Sequence, residues 1–290
     1  MNREFVTFTH REATIRVSAR WRKAVEESVR KNRYLLEAYI AREPRFLHSL
    51  VPIPIGPDPP EVAVRMHRAS LAVGVGPMAA VAGAVAQMAG EAALAAAVAG
   101  GGSIQQAAGS GAPAAGQAAA GQAAAGAGPA AADPGYGAPD SPEVIVENGG
   151  DIFLALKDPA VIGLWAGGSP LSGRIAFRIL PEDTPLGVCS SSGTMGHSLS
   201  LGSCDLATVF SRDAALADAA ATLAANMVKS ESDIEAAVNE ILAIPGIMGL
   251  IVVKGERIGM GGFAPELIRN RDTGTAGKVT RDPRANWVIE

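Results

Sequence analysis

From Gly100 to about Pro142 the chain is built almost wholly of Ala, Gly, Gln, Ser and Pro, including the near-repeat Ala114–Gly126. A tract with so few large apolar side chains has little to offset the entropy of an ordered backbone. It reads as an insertion in a surface loop, and it constrains everything on either side. The segments before it are mainly helical, and those after it are mainly strands. Neither set makes a balanced core alone, so the two must pack together across the insertion. The expectation is one α+β domain over residues 1–265, with mainly antiparallel sheet and packed helices. The insertion interrupts it at about 100–142, and a polar tail at 266–290, loose from about Pro265, follows it.

Periodicity fills in the elements. Phe5 to Val17 alternates as a hairpin does, and Trp21, Val25, Val29, Leu36, Tyr39 and Ile40 recur at helical steps within Ser18–Arg42. Pro44 ends that helix, and five prolines between Pro52 and Pro60 require an extended loop. Further helices are expected from Glu61 towards Val73 and from Pro77 to about Val98. Strands are expected at 143–146, 151–156, 161–165, 174–179, 187–190, 197–201 and 206–210. Helices follow from Ser211 to about Met227 and from Ser232 to about Ala243, then a hairpin over 249–253 and 257–260.

Bulk properties exclude several classes. The hydrophobic content of 48% is inflated by alanine, and the formal net charge is −4. Lys and Arg are interspersed with acids, so no basic footprint for nucleic acid or an anionic membrane is present. Leu71–Ala86 is uncharged but shorter than the roughly 20 apolar residues of a span, and Pro77 breaks it near its start. The start Met1–Phe5 carries no apolar export signal, so a cytoplasmic protein is expected. Cys189 and Cys204 lack CxxC spacing and read as small buried hydrophobes.

Four segments carry candidate chemistry. Gly74-Val75-Gly76-Pro77 leads into a helix and could offer backbone N–H groups to a phosphate; a close-packing loop explains it equally. Asn148-Gly149-Gly150-Asp151 joins two apolar runs, as a tight hairpin requires, and becomes functional only if Asn148 and Asp151 face a cleft. Ser190-Ser191-Ser192-Gly193-Thr194 is rich in hydroxyls and glycine and could hold phosphates, with His197 nearby. A Ser–His–Asp hydrolase on His197 with Asp205 or Asp183 is conceivable, but an ordinary hydrogen-bonded histidine is favoured over it. Asp218 and Thr222 stand four apart among alanines, with Ser211 suited to the N-cap and Asp213 to the first turn. If that face is buried, a hard cation such as Mg²⁺ would satisfy both oxygens; if exposed, Asp218 is merely solvated.

In this order, these segments resemble the ApbE-like superfamily, the FAD:protein FMN transferases. The family's Asn-Ala-Gly-Gly-Asp-Ile turn is matched by Glu147-Asn148-Gly149-Gly150-Asp151-Ile152, and its Thr-Ser-Gly loop by Ser191-Ser192-Gly193. Its Ala-Asp-Ala-Leu-Ala-Thr helix is matched by Ala217–Thr222, with Ala where the family has Leu. A short cytoplasmic branch shares the Val-Gly-Pro-Met-Ala-Ala-Val-Ala-Gly and Glu-Asn-Gly-Gly-Asp-Ile runs. The resemblance implies an FAD or related nucleotide held with Mg²⁺ on Asp218 and Thr222. The nucleotide contacts would be Gly74, Gly76, Asn148, Gly149, Gly150, Asp151, Ser191, Ser192, Gly193 and Thr194, with Asp151 and His197 as catalytic candidates. It also implies FMN transfer to an acceptor protein, or pyrophosphate cleavage. Two departures weigh against transfer. No lysine stands near Ala80–Gly83 where the family carries Gly-Gly-Ile-Ala-Lys-Gly, and Ser198–Gly202 replaces the Asp-Pro-Arg-Thr-Gly after the family's histidine. A non-catalytic binding or assembly protein, or sulfur handling by Cys189, therefore stay open as alternatives, as does an oligomer.

Overall fold

A computed structural model describes residues 3–99, 142–193 and 203–272. The insertion, Thr194, His197, the strand expected at 197–201 and the chain from residue 273 lie outside the described residues.

The chain opens with the hairpin β1 (Phe5–His10) and β2 (Ala13–Ser18), then a 3₁₀ turn and α1 (Arg22–Arg42). A short α2 (Arg45–His48) and the proline loop lead to α3 (Glu61–Val73). A second 3₁₀ turn at Pro77–Ala80 runs into α4 (Val81–Ala99). After the insertion come β3 (Val144–Asn148), β4 (Asp151–Ala155), β5 (Ala160–Gly163), β6 (Ile175–Ile179), β7 (Leu186–Ser191) and β8 (Leu206–Ser211). The chain continues through α5 (Ala214–Met227), α6 (Ile234–Leu242), β9 (Ile247–Lys254), β10 (Arg257–Gly262) and β11 (Glu266–Arg269).

An eight-stranded antiparallel sheet runs in the order β1-β2-β3-β4-β7-β8-β9-β10, and a three-stranded one in the order β11-β6-β5. The first hairpin pairs directly with β3, so residues from both sides of the insertion share one sheet. That pairing joins the two sides of the Ala/Gly-rich tract in one sheet of the α+β fold. On one face of the large sheet, α4 and α5 pack against β3, β4 and β7. Val25, Val29, Leu36 and Tyr39 of α1 form the buried stripe that the periodicity predicts. Each such side chain contributes about 1.5–3 kcal/mol by leaving water. The other face packs against the small sheet through Leu154, Phe177, Ile179, Val188, Phe210 and Ile251. There the Phe177 and Phe210 rings meet edge to face at 5.3 Å.

Three expectations need correction. Ser211 ends β8 and gives its hydroxyl to the Gly246 carbonyl; the N-cap of α5 is Asp213, whose carboxylate accepts the Ala215 and Leu216 N–H groups. The tail is not loose at its start, because Glu266–Arg269 pairs with β6 as β11. The apolar stretch extends further than Leu71–Ala86 suggests. Among the described residues, Pro77–Ala99 alone is long and apolar enough to cross a membrane by length and composition. Here it lies among α1, α3, α5, β3 and β4, where its small residues permit close helix contacts.

Candidate functional site

The β3–β4 hairpin closes on two residues, Gly149 and Gly150, both at positive φ (67° and 112°). A two-residue turn of that hand matches strand twist and favours glycine, so turn geometry accounts for both glycines. Asn148 and Asp151 form the pair beside the turn, and a directly opposed pair projects to one face. Val146 and Phe153 share that face and lie in the helical core, so Asn148 and Asp151 look towards α4 and α5. Both are buried. Asn148 Nδ2 donates to the Ala82 carbonyl at 3.1 Å, fixing the first turn of α4 over the hairpin.

Asp218 and Thr222 are each only 8% exposed, so the reading of a solvated aspartate is set aside. Asp218 Oδ2 accepts the Gly83 N–H at 2.9 Å. The first N–H groups of a helix lack intrahelical partners, so Asp218 caps α4 from a neighbouring helix. Gly83 makes this approach feasible: a Cβ there would stand 2.1 Å from the Ala214 carbonyl oxygen and 2.8 Å from Asp218 Cβ. Gln87 ties the same helices further along, accepting the Ala214 N–H at 2.7 Å.

The electrostatics are those of two crowded acids. Burial pushes the Asp218 carboxyl up to about 7, against the N–H groups of Gly83 and Ala82, which favour its charge. Burial, then the charge of Asp218, pushes Asp151 well above the carboxylate range, while the Cys189 thiol and the Ser190 N–H hold it down in part. Asp151 Oδ1 is buried without a hydrogen-bond partner. No lysine or arginine is among the groups that set either carboxyl. Burial and the nearby carboxylates also push the Cys189 thiol well up, and its Sγ donates to the Ala214 carbonyl at 3.3 Å.

Among the described residues, no three of His, Cys, Asp and Glu converge as a metal cluster. A thiolate and imidazole cage is therefore not what these residues offer. Two carboxyl groups without a counter-cation, with a threonine hydroxyl one helical turn from one of them, fit a hard divalent ion that completes its shell with water and phosphate oxygens. Asp218 and Thr222 would hold it.

The other sequence candidates sort differently. Gly74 ends α3 in the left-handed conformation, and its N–H bonds the Ser70 carbonyl at 2.8 Å, so that amide is not offered to a phosphate. Gly76 is required by packing, since a Cβ there would meet the Ser49 carbonyl oxygen at 1.8 Å. The close-packing reading of this loop therefore has a physical basis. Ser191 ends β7, two residues along from Cys189 and on its face. Ser192 is buried, and the Gly193 N–H bonds the Cys204 carbonyl at 2.8 Å. Of the two orienters weighed for a hydrolase, Asp205 accepts from Gly255 N and Asp183 from Leu180 N. Cys204 is buried and its thiol is pushed up to about 11, chiefly by burial. Sequence reasoning missed Ala82, Gly83 and Gln87 as members of the site. Gly83 lay inside a singled-out run, but only the α4–α5 contact shows what it does.

Comparison with known proteins completes the picture. The profile of a family described as AbpE bacteria matches residues 2–105 and 100–243. A UPF0280 protein of Methanocaldococcus jannaschii is 34% identical over 263 residues, covering 89% of this chain and 88% of the relative. One from Methanopyrus kandleri is 33% identical over 274 residues, covering 92% of each. Among solved structures, an ApbE protein from Thermotoga maritima aligns over 89% of this chain and 96% of its own, with a TM-score of 0.48 at 13% identity. The flavinyl transferase ApbE of Pseudomonas stutzeri aligns over 41% and 42%, with a TM-score of 0.28 at 15% identity. At these values neither structure assigns a residue or an activity here. The profile match along most of the chain, with relatives at a third identity over nearly their whole length, places this chain in the ApbE-like superfamily, in company with the archaeal UPF0280 proteins.

Proposed function

We propose that the protein binds FAD or a related nucleotide together with Mg²⁺, with the ion on Asp218 and Thr222, and acts on the nucleotide's pyrophosphate. The observation that carries this reading is the buried, uncompensated carboxyl of Asp218 beside Asp151. A buried carboxylate without a cation is unfavourable by several kcal/mol. A divalent ion bound there, in contact with phosphate oxygens, would stabilise charge at a phosphoryl centre. The chain's own contributions are the Asn148 hydrogen bond that fixes the α4 turn and Ser191 at the end of β7, which would supply a hydroxyl to phosphates. In transfer, the phosphorus of the FMN half would leave the AMP oxygen for the hydroxyl oxygen of an acceptor serine or threonine, which gives up its proton. In hydrolysis, water would replace the acceptor.

Calorimetric titration of FAD into wild type, with and without Mg²⁺, and into Asp218→Asn tests this. Mg²⁺-dependent binding that Asp218→Asn loses supports it, and no binding under any of these conditions ends it. Binding without release of AMP or labelling of an acceptor would favour the non-catalytic binding or assembly reading, which the absent lysine near Ala80–Gly83 suggests. The sulfur-handling alternative is the weaker one, because the Cys189 thiol is buried and held neutral.

A further inference from the structure

Asp151 has no structural reason to carry a bare carboxyl oxygen at this position. Asn148 and Asp218 both grip the first turn of α4, through the Ala82 carbonyl and the Gly83 N–H. Asp151 does neither. It is 6% exposed, and its Oδ1 has no hydrogen-bond partner. It projects from the β3–β4 hairpin onto the face that meets α4 and α5, close enough to feel the charge of Asp218. A buried carboxyl oxygen left without a donor is unfavourable, and asparagine or serine would have closed the hairpin as well.

We propose that Asp151, through Oδ1, is a second anionic ligand of the divalent cation that Asp218 and Thr222 hold, and that it lets this cation bind before any nucleotide arrives. The inference rests on the metal reading of the site proposed above. Its argument is one of charge. The single negative charge of Asp218 is already turned towards N–H groups at the positive end of α4. A divalent cation entering a poorly hydrated space beside a helix N-terminus, with only that carboxylate to meet it, would be under-compensated. Two carboxylates balance its charge in full, and the unpartnered oxygen of Asp151 gains the partner it lacks. The Cys189 thiol gives its single hydrogen to the Ala214 carbonyl and so leaves Asp151 Oδ1 without a donor.

The test is calorimetric titration of Mn²⁺ alone into the full chain, on wild type, Asp151→Asn and Asp218→Asn, with thermal unfolding to confirm that each variant is folded. Wild type is expected to bind without nucleotide, and Asp151→Asn to bind at least tenfold more weakly. A loss smaller than tenfold overturns the proposal. If wild type binds neither Mn²⁺ nor FAD, the proposed function falls and this inference with it. If Asp218→Asn abolishes binding while Asp151→Asn does not weaken it tenfold, only the second ligand falls. Wild-type crystals soaked in MnCl₂ decide the same point without a variant: Asp151 Oδ1 in the coordination shell supports the proposal, and Oδ1 outside it overturns it.

Discussion

The two faces of the large sheet are built on opposite terms. Between the sheets, Leu154, Leu186, Val188, Phe177, Phe210 and Ile251 make an apolar layer. A hydroxyl pair on that face, half-buried Ser190 and buried Thr208, is satisfied internally at 2.9 Å. On the helical face the core is equally buried but includes Asn148, Asp151, Asp218 and Thr222. The first face follows the rule that interiors are apolar and close-packed. The second breaks that rule with two acids and no basic partner. A fold that needs only stability gains nothing from such a pair, which makes the helical face the candidate for a functional site.

Four measurements would break or sharpen this contrast. Phe210→Ala removes a ring packed between the two sheets and should destabilise by about 3–5 kcal/mol in urea titration, while leaving divalent-cation affinity in the folded protein within twofold of wild type. A large change in cation affinity would show that the two faces are not independent. On the helical face, pH should act in an unusual direction. Asp218 is raised in the folded protein to about 7, whereas an unfolded aspartate sits near 3.9. The native state therefore binds more protons between those values, and metal-free stability should fall as pH rises from about 4 to 7, by up to about 4 kcal/mol. Asp218→Asn should flatten that slope. A metal-free stability that climbs over the same range would contradict the crowded-acid account.

Gly83→Ala tests the contact that forms the site. Its Cβ would press on the Ala214 carbonyl, so a loss of about 1–3 kcal/mol is expected, together with weaker Mg²⁺ binding as Asp218 is pushed from α4. Unchanged binding in this variant would mean that the α4–α5 contact does not shape the site. The smallest effect belongs to Asp213→Ala. It removes the N-cap of α5 and should cost about 1 kcal/mol, with no change in cation affinity, because Asp213 holds only the Ala215 and Leu216 N–H groups. A drop in affinity as large as that of Asp218→Asn would draw Asp213 into the site.

Much of this architecture was legible in the chain because it is local. The α3 span from Glu61 to Val73 followed from periodicity, and the Asn148–Asp151 turn from the conformations that Gly149 and Gly150 allow. The polar β11 was not legible: Glu266–Arg269 carries little strand pattern and is ordered by pairing with β6. Nor was the choice between Ser211 and Asp213 as N-cap, which turns on where β8 stops. The site divides in the same way. Spacing placed the oxygens of Asp218 and Thr222 on one side of a helix, and the turn placed Asn148 beside Asp151.

Whether those groups meet water or one another is not a local property. The sequence by itself determined the helix faces, the hairpin turns and the order of the motifs, since each depends on neighbours a few residues away. Only the tertiary structure decided that Gly83 admits Asp218 to the first turn of α4, that the amide of Gly74 is already used, and that Asp151 is buried with a bare oxygen beside a second acid. Burial and charge proximity join residues such as 83 and 218 that are far apart in the chain, and it is these long-range contacts that turn two ordinary aspartates into a candidate metal site.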